Sequence, residues 1–268
     1  MLQKISLSRK GFDSGYGKIP SPILPDGTLL SLPIPDSTST ENPYGNLVYE
    51  DKTFIDIIKD LSPNTELTPQ NKCHLDPDLN KNCRPREIGW IPSFGQTGSA
   101  LSHLKNHSFG IDDLFLFFGW FKQTEIYNGR LRYCKGAPDI HAIFGYLQVG
   151  RIIDNKDNVP SWLEKHPHAD ERHWGKDNCI YTSSQNLTFM NNLPGAGLLK
   201  FNSKRVLTKT GCSRTIWDLP DFFREIDITY HSKKSWINTG FKSACKGQEF
   251  VFSPTSEVLE WVKEIIKD

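Results

Sequence analysis

Residues 112–153 read DDLFLFFGWFKQTEIYNGRLRYCKGAPDIHAIFGYLQVGRII. The run Leu114–Phe118 has no polar break, which is typical of a strand that is covered on both faces. Asn128-Gly129 favours the type I′ turn of a hairpin, because both residues tolerate a positive φ. The segments 130–133 and 140–153 then predict two more strands. This stretch therefore predicts three neighbouring strands of one antiparallel sheet around which the remaining chain packs.

Shorter segments on both sides of this sheet carry weaker patterns. Further strands are predicted at 4–9, 28–32, 178–183, 197–202, 226–231 and 247–252. Helices are predicted where apolar residues recur at helical spacing, at 53–61, 96–109 and 160–166. A closing helix is predicted to begin with Ser253 as N-cap and Pro254 as its first residue. Together these elements predict one α+β domain over 1–268, a mainly antiparallel sheet or small barrel with a few short helices and long loops.

The composition is that of a soluble globular protein, with 37% hydrophobic and 24% charged residues among 268. A net charge of +1 excludes a global basic field, so any contact with nucleic acid must be a local patch. The chain has no apolar run of the length of a signal peptide or a membrane span. Six cysteines without a C-x-x-C pair favour reduced thiols. A cytoplasmic protein without a membrane partner is predicted.

The loop after the first predicted strand combines cations with glycines. It reads Ser8-Arg9-Lys10-Gly11-Phe12-Asp13 and is followed by Gly15-Tyr16-Gly17. Such a loop can bring backbone amides and cations close to an anion, and phosphate is the natural guest. The spacing fits neither a Walker loop nor a dinucleotide fingerprint. The alternative is a solvated strand end with a flexible turn.

Two further segments hold potential ligands or acid–base groups. His74-Leu75-Asp76-Pro77-Asp78 has a histidine and two carboxylates that could bind a divalent metal or act as a base, although an acidic turn with self-capping aspartates is favoured. The segment 166–174, HPHADERHW, is the densest group of potential ligands, but its spacing fits no standard zinc module. His103 and His107 lack the glutamate of the H-E-x-x-H motif. No metal site and no cofactor are therefore assigned.

Several blocks of the sequence resemble a known family of bacterial and phage proteins. They are SRKGFDSGYG, PSPILPDG, HLDPDL, DLFLFFGWF, PDIHAIFGYLQVG, LPGAG, TYH and GQEFV. They resemble the nucleotide modification associated domain 3 family over nearly the whole chain. That resemblance implies a genomic link to enzymes that hypermodify DNA bases, but it implies no reaction and no catalytic residue. The central sheet alone also resembles the barrel of PUA, ASCH and EVE domains, which bind RNA or modified bases.

Two functions follow as hypotheses, both with a nucleotide or DNA as partner. The favoured one is an enzyme that acts on a nucleotide or on a base in DNA. Its candidate acid, base or ligand groups are Asp13, His74, Asp76, Asp139, His141, Tyr230 and His231. Its candidate substrate-binding residues are Ser8, Arg9, Lys10, Tyr16, Gln96, Trp120, Arg214 and Gln248. The alternative is a non-catalytic reader that stacks a modified or flipped base on Trp120, Phe121, Tyr146 or Trp90.

Overall fold

The structure, a computed structural model, describes residues 2–39, 41–175 and 177–267. The strands are β1 (Ile5–Arg9), β2 (Ser21–Ile23), β3 (Ile34–Pro35), β4 (Val48–Tyr49), β5 (Lys52–Thr53), β6 (Cys73–His74), β7 (Ser93–Thr97), β8 (Leu114–Tyr127), β9 (Arg130–Tyr133), β10 (Ile140–Ile153), β11 (Asn178–Ser183), β12 (Asn186–Leu187), β13 (Met190–Pro194), β14 (Ala196–Leu198), β15 (Ile216–Trp217), β16 (Trp236–Ile237), β17 (Gly240–Lys242) and β18 (Glu249–Phe252). The helices are α1 (Phe54–Leu61), α2 (Gly98–Asn106) and α3 (Ser256–Ile266). Short 3₁₀ turns occur at Tyr44–Asn46, Lys156–Asn158, Ser161–Leu163, Pro167–Ala169, Glu171–His173, Ser203–Arg205, Asp221–Glu225 and Lys233–Ser235.

One large sheet organises the fold, with strand order β18-β1-β8-β10-β11-β7. Strands β2 and β9 also pair with β8, and β14 pairs with β10. Strands β1 and β2 run parallel to β8, and the other pairs of this sheet are antiparallel. In the described part of the chain β18 and β7 do not pair, so the sheet stays open. The prediction of an α+β fold with a mainly antiparallel sheet is confirmed. The described strands do not close into the small barrel that was its alternative.

Strand β8 is buried on both faces, as its unbroken apolar run predicts. On one face Leu114, Leu116 and Phe118 belong to a core that also contains side chains of β1, β18 and α3. On the other face Phe115 and Phe117 pack with aromatic side chains of β7, β10 and β11. Asn128 and Gly129 have φ angles of 50° and 75°, which fits the predicted hairpin turn.

Gly119 places the loop that follows β1 against the central strand. A Cβ atom at this position would lie 2.8 Å from the carbonyl oxygen of Lys10. Lys10 N in turn donates to the carbonyl of Phe118 at 2.9 Å. The glycine therefore permits a close backbone approach, and it fixes where the loop 9–13 leaves the sheet.

A third core lies beside this loop, between it and α1. It includes Phe12, Leu32, Tyr44 and Ile57, all nearly inaccessible to solvent. The helix α1 begins after Thr53, whose side chain forms a capping box with Asp56. The segment between β2 and β7, which carries little regular structure, is thus packed against the sheet rather than left as a free loop. No helix among the described residues is long and apolar enough to cross a membrane.

Four sequence-based assignments were wrong. The segment 28–32 forms isolated bridges at Thr28 and Leu29 but no strand. The segment 226–231 is a turn, because Tyr230 adopts a left-handed φ of 64° that ends any extended run. The predicted helix at 160–166 is the single 3₁₀ turn Ser161–Leu163. The closing helix has Thr255 as its N-cap, because this side chain accepts the hydrogen bond from Val258 N.

Candidate functional site

Two cavities meet at the loop 9–13. The first, here called the His–Asp cavity, has a volume of about 420 Å³ and is lined by Arg9, Lys10, Gly11, Asp13, Tyr16, Ile34, His74, Asp76, Gln96, Thr97, His168, His173, Cys245, Gly247 and Gln248. The second, here called the Arg–Trp cavity, has a volume of about 270 Å³ and is lined by Arg9, Lys10, Phe12, Asp13, Ser14, Trp120, His141, Arg214, Thr215, Ala244 and Cys245. Arg9, Lys10, Asp13 and Cys245 line both, so the two cavities are adjacent.

The His–Asp cavity contains a compact cluster of His74, Asp76 and His168. The Nε2 atoms of the two histidines are 3.2 Å apart. Asp76 Oδ2 lies 3.8 Å from His74 Nε2 and 3.7 Å from His168 Nε2. Three side chains that can each offer one ligand atom to a cation therefore converge at one point of the cavity wall.

Asp76 is held in place from the side opposite the two histidines. Its Oδ1 accepts a hydrogen bond from Gly95 N at 2.8 Å and lies 3.3 Å from His166 Nε2. Burial raises the pKa of Asp76, but His166, His168 and His74 outweigh this effect and lower the pKa to about 2. The group is therefore a carboxylate at neutral pH, with Oδ2 directed at the two imidazoles.

His168 is oriented by Asn178, the first residue of β11. Asn178 Nδ2 donates to the His168 carbonyl at 2.8 Å, and its Oδ1 lies 2.8 Å from His168 Nδ1. Since an amide oxygen can only accept, Nδ1 carries the proton and Nε2 keeps its lone pair. Burial lowers the pKa of His168 to about 3, so the imidazole is neutral near pH 7.

His74 is oriented by the short pairing of β3 with β6. Ile34 is the register partner of His74, so Asp36, which follows β3, approaches the imidazole. Asp36 Oδ2 lies 3.4 Å from His74 Nδ1. This contact is the main cause that holds the pKa of Asp36 well below its usual range. As in His168, the outer nitrogen faces an oxygen acceptor and Nε2 faces the cluster.

The cations of the loop are partly engaged inside the protein. Lys10 Nζ lies 2.9 Å from Glu249 Oε1, and Ser8 Oγ donates to the same oxygen at 2.9 Å. Lys10 and Ser8 are therefore bound to Glu249 inside the protein, and their contacts stabilise the wall of the cavity. Arg9 donates to the carbonyls of Ala244 at 2.5 Å and Cys245 at 3.1 Å. Among the described residues no carboxylate pairs with Arg9, so its charge acts on both cavities.

The Arg–Trp cavity presents a guanidinium on an aromatic ring. Arg214 lies 4.1 Å from the centroid of the Trp120 ring and donates to Ser14 Oγ at 2.6 Å. Trp217 Nε1 donates to His141 Nδ1 at 3.1 Å, so the neutral imidazole carries its proton on Nε2. Burial, with smaller effects from Arg9 and Arg214, lowers the pKa of His141 to about 3. His141 is therefore suited to donate a hydrogen bond rather than to accept a proton near pH 7.

The chain was also compared with known protein families, curated proteins and solved structures. Residues 4–253 match the family described as nucleotide modification associated domain 3. The chain belongs to this family. The family resemblance predicted from the sequence is thereby confirmed, and the family description supports an association with nucleotide modification. A search of curated proteins and a search of solved structures found no match.

In this family member most of the predicted site residues line the two cavities, but some do not. Asp13 lines both, and its Oδ1 accepts from Gly15 N and Tyr16 N at 2.7 Å, as in a self-capping turn. Tyr16, Gln96 and Gln248 line the His–Asp cavity, where Tyr16 and Gln248 are exposed and Gln96 is buried. The residues outside both linings are Ser8, Asp139, Tyr230 and His231.

All four of these residues have structural contacts, and that of Ser8 with Glu249 is given above. Asp139 accepts from Trp120 Nε1 at 2.8 Å and so orients that ring. Tyr230 is 49% exposed and packs on His103, with ring centroids 4.4 Å apart. His231 lies 2.9 Å from the Thr229 carbonyl through Nδ1 and accepts from Ala244 N at 2.9 Å through Nε2. His231 therefore supports the segment that binds the Arg9 guanidinium.

Several residues in and around the cluster were missed by sequence reasoning. They are His166, His168, His173, Asp36 and Asn178. The one available signal was the histidine-rich segment 166–174, whose spacing fits no standard zinc module. His173 lines the His–Asp cavity, and its ring stacks on that of His168 with centroids 5.3 Å apart.

The aromatic residues proposed for base stacking are mostly inaccessible. Phe121 and Tyr146 are 0% and 4% exposed and belong to the two cores of the sheet. Trp90 is covered by Arg86, at 4.3 Å from the ring centroid. Of the four candidates, Trp120 lines one of the two cavities described above.

Cavity size alone does not select the site. Two larger cavities have volumes of about 560 and 580 Å³. Neither has a histidine in its lining among the described residues, and only the first reaches the cluster, through Asp76. The presence of histidines, a carboxylate and two arginines in their linings therefore distinguishes the pair of smaller cavities.

The buried neutral state of His141 predicts an acid-dependent loss of stability. The folded pKa of about 3 lies below the ordinary value of 6.5, so the unfolded chain takes up a proton first as the pH falls. The contribution of His141 is complete above pH 6.5 and falls by about 2 kcal/mol between pH 6.5 and 4.5. His141→Gln retains an acceptor for Trp217 but does not titrate. We expect the difference in unfolding free energy between wild type and variant to narrow over this range in urea denaturation, and a pH-independent difference would contradict the assignment.

Proposed function

We propose that this chain is an enzyme that acts on a nucleotide or on a base in DNA, with the His–Asp and Arg–Trp cavities as its active site. The observation that carries the proposal is the cluster of His74, Asp76 and His168 beside Arg9. Removing a carboxylate and imidazoles from water costs free energy that apolar side chains would not cost. Such an arrangement at a cavity is typical of sites for chemistry or for a cation.

The two cavities divide the recognition of a nucleotide between them. Arg214 and Arg9 supply positive charge in the Arg–Trp cavity, and guanidinium groups suit phosphate oxygens. His141 adds a neutral Nε2–H donor to the same wall. The His–Asp cavity, on the other side of the loop 9–13, then receives the group that reacts. This division assigns phosphate to one cavity and the base or sugar to the other.

The reader hypothesis has less support than the enzyme hypothesis. A reader needs an aromatic slot that an unstacked base can enter. Phe121 and Tyr146 are buried in the cores, and the Trp120 ring already carries the Arg214 guanidinium. An enzyme needs several titratable groups at one point, and the cluster supplies them.

The proposal is tested by looking for a product. Purified protein is incubated with deoxynucleotides and with modified and unmodified oligonucleotides, with and without added divalent metal ions, and the nucleosides are analysed by mass spectrometry. We expect a mass change with the wild-type protein and its loss in His74→Ala, while binding of the substrate is retained. Tight binding of modified DNA without any mass change would favour the reader.

The Arg–Trp cavity can be tested by a matched pair of arginines. Arg214 lies 4.1 Å from the Trp120 ring, and Arg224 lies 4.4 Å from the Trp236 ring outside both cavities. A charge-assisted hydrogen bond is worth about 1.5–3 kcal/mol, so we expect Arg214→Ala to weaken binding of a deoxynucleoside monophosphate by about 10-fold or more. Arg224→Ala should leave the Kd unchanged. Equal Kd values for the two variants in calorimetric titrations would exclude the phosphate site.

A further inference from the structure

We infer that His74, Asp76 and His168 bind one divalent first-row transition-metal ion, of the kind represented by Fe²⁺, Mn²⁺, Co²⁺ and Zn²⁺. The ligand atoms are His74 Nε2, His168 Nε2 and Asp76 Oδ2. This inference concerns a cation and does not depend on which nucleotide, if any, enters the cavities.

The distances among the three atoms suit such an ion. They form a triangle with sides of 3.2, 3.7 and 3.8 Å. The point equidistant from its corners lies about 2.1 Å from each, which is the length of a zinc–imidazole or zinc–carboxylate bond, about 2.0–2.2 Å. An ion in the plane of the three atoms therefore lies within bonding distance of all of them.

The hydrogen bonds outside the cluster leave the inner nitrogens as ligands. Asn178 Oδ1 and Asp36 Oδ2 face the Nδ1 atoms of His168 and His74, so each Nδ1 carries a proton. In this tautomer the Nε2 atom of each imidazole presents a lone pair toward the other at 3.2 Å, beside a carboxylate. Three electron-rich atoms at these distances repel one another, and a cation between them converts the repulsion into attraction. At metal sites the ring nitrogen of a histidine that does not bind the metal usually donates a hydrogen bond to an oxygen acceptor, as here.

His166 is a further buried group beside the cluster. Its side chain is fully buried, and its Nε2 has no hydrogen-bond partner among the described residues, although Asp76 Oδ1 lies 3.3 Å away. His166 thus lies against Oδ1 of Asp76, while Oδ2 of the same carboxylate is directed toward His74 and His168.

The ligand set indicates the type of metal. Two imidazoles and one carboxylate suit first-row transition metals better than Ca²⁺ or Mg²⁺, which prefer oxygen ligands. Structural zinc sites are closed by four protein ligands, whereas three ligands leave positions open. Because all three residues line the His–Asp cavity, the open positions face the space that a substrate would occupy.

The test is a metal titration of tag-free protein after EDTA treatment and removal of the chelator. We expect one Co²⁺ per chain, seen as visible d–d absorption and by calorimetry, with Zn²⁺ competing. His74→Ala, at a side chain that is 21% exposed, should lower the affinity at least 100-fold. Asp36→Asn should lower it by about 10- to 100-fold as an outer partner. His107→Ala removes the histidine that caps the C-terminus of α2, outside the cluster, and should leave the affinity unchanged.

Two results would overturn the inference. The first is that the wild-type protein binds none of these ions. The second is that His74→Ala binds Co²⁺ as tightly as the wild-type protein. Circular dichroism and the unfolding midpoint of each apo variant separate loss of the site from loss of the fold. Since these readouts need no substrate, metal binding without a product in the nucleotide assay would refute the proposed activity alone, and a product without metal binding would refute the metal site alone.

Discussion

Replacing Glu249 by glutamine is expected to lower the free energy of unfolding by about 3–5 kcal/mol, the cost of breaking a buried ion pair on one side. Glu249 is 1% exposed and lies 2.9 Å from Lys10 Nζ. It also accepts hydrogen bonds from Ser6, Ser8 and Gln96. A neutral amide leaves the Lys10 ammonium without a counterion and directs its own NH₂ group at one of these donors.

Urea denaturation at neutral pH measures this effect directly. Glu264→Gln is the matched control, because Glu264 pairs with Lys204 at 3.2 Å on the surface and should change the unfolding free energy by less than about 1 kcal/mol. Lys10→Met in the Glu249→Gln background removes the unpaired ammonium and should restore part of the loss. A change below about 1 kcal/mol for Glu249→Gln would show that the ion pair does not hold β1, β7 and β18 together.

This network shows what a pattern-based prediction of the loop 9–13 could not contain. A cation after a strand favours an anion site, and the sequence places Lys10 there. Its partner is 239 positions away on β18, and only the pairing of β1 with β18 brings the two together. The Lys10 ammonium therefore forms an internal ion pair with Glu249. The Arg9 guanidinium binds carbonyl oxygens instead, so its positive charge is not neutralised there and acts on the cavities.

Local sequence patterns predicted the structure correctly where they indicated a strand buried on both faces or a turn that requires positive φ angles. The run Leu114–Phe118 and the Asn128-Gly129 turn are in this class, and both were predicted correctly. The segment 226–231 was not, because Ile228 is buried by packing against a core without any strand partner. Alternating apolar residues report burial, and burial alone does not require a ladder of hydrogen bonds.

The residues of the His–Asp cluster lie in two separate segments of the sequence. Neither segment alone matched a known metal site. The first supplies His74 and Asp76, the second supplies His168, and His74 and His168 are 94 positions apart. Spacing rules for metal sites apply to ligands on one turn or one helix, so neither segment satisfied them. The pairing of β3 with β6 and of β7 with β11 unites the ligands, and neither pairing leaves a signal in the spacing of the histidines.

Gly95→Ala should strongly weaken metal binding without replacing any ligand. A Cβ atom at Gly95 would lie 2.2 Å from the ring atoms of His168, which is far below contact distance. The ring is buried and held by Asn178, so the methyl group must displace the His168 ring or β7 itself. Gly95 N also donates to Asp76 Oδ1, and a shift of β7 would turn that carboxylate. We expect the Co²⁺ affinity to fall at least about 100-fold, the upper range for outer partners.

The stability of the same variant separates a local effect from unfolding. Overpacking of this kind costs about 1–3 kcal/mol, so the apo variant should remain folded in circular dichroism and unfold at a lower urea concentration. Gly110→Ala is the control, because a Cβ at Gly110 has no atom within 4 Å and should change neither affinity nor stability appreciably. If Gly95→Ala binds Co²⁺ as tightly as wild type, His168 is not a ligand. A folded variant that has lost Co²⁺ binding while His74, Asp76 and His168 are all present would instead tie the metal to the position of the His168 ring.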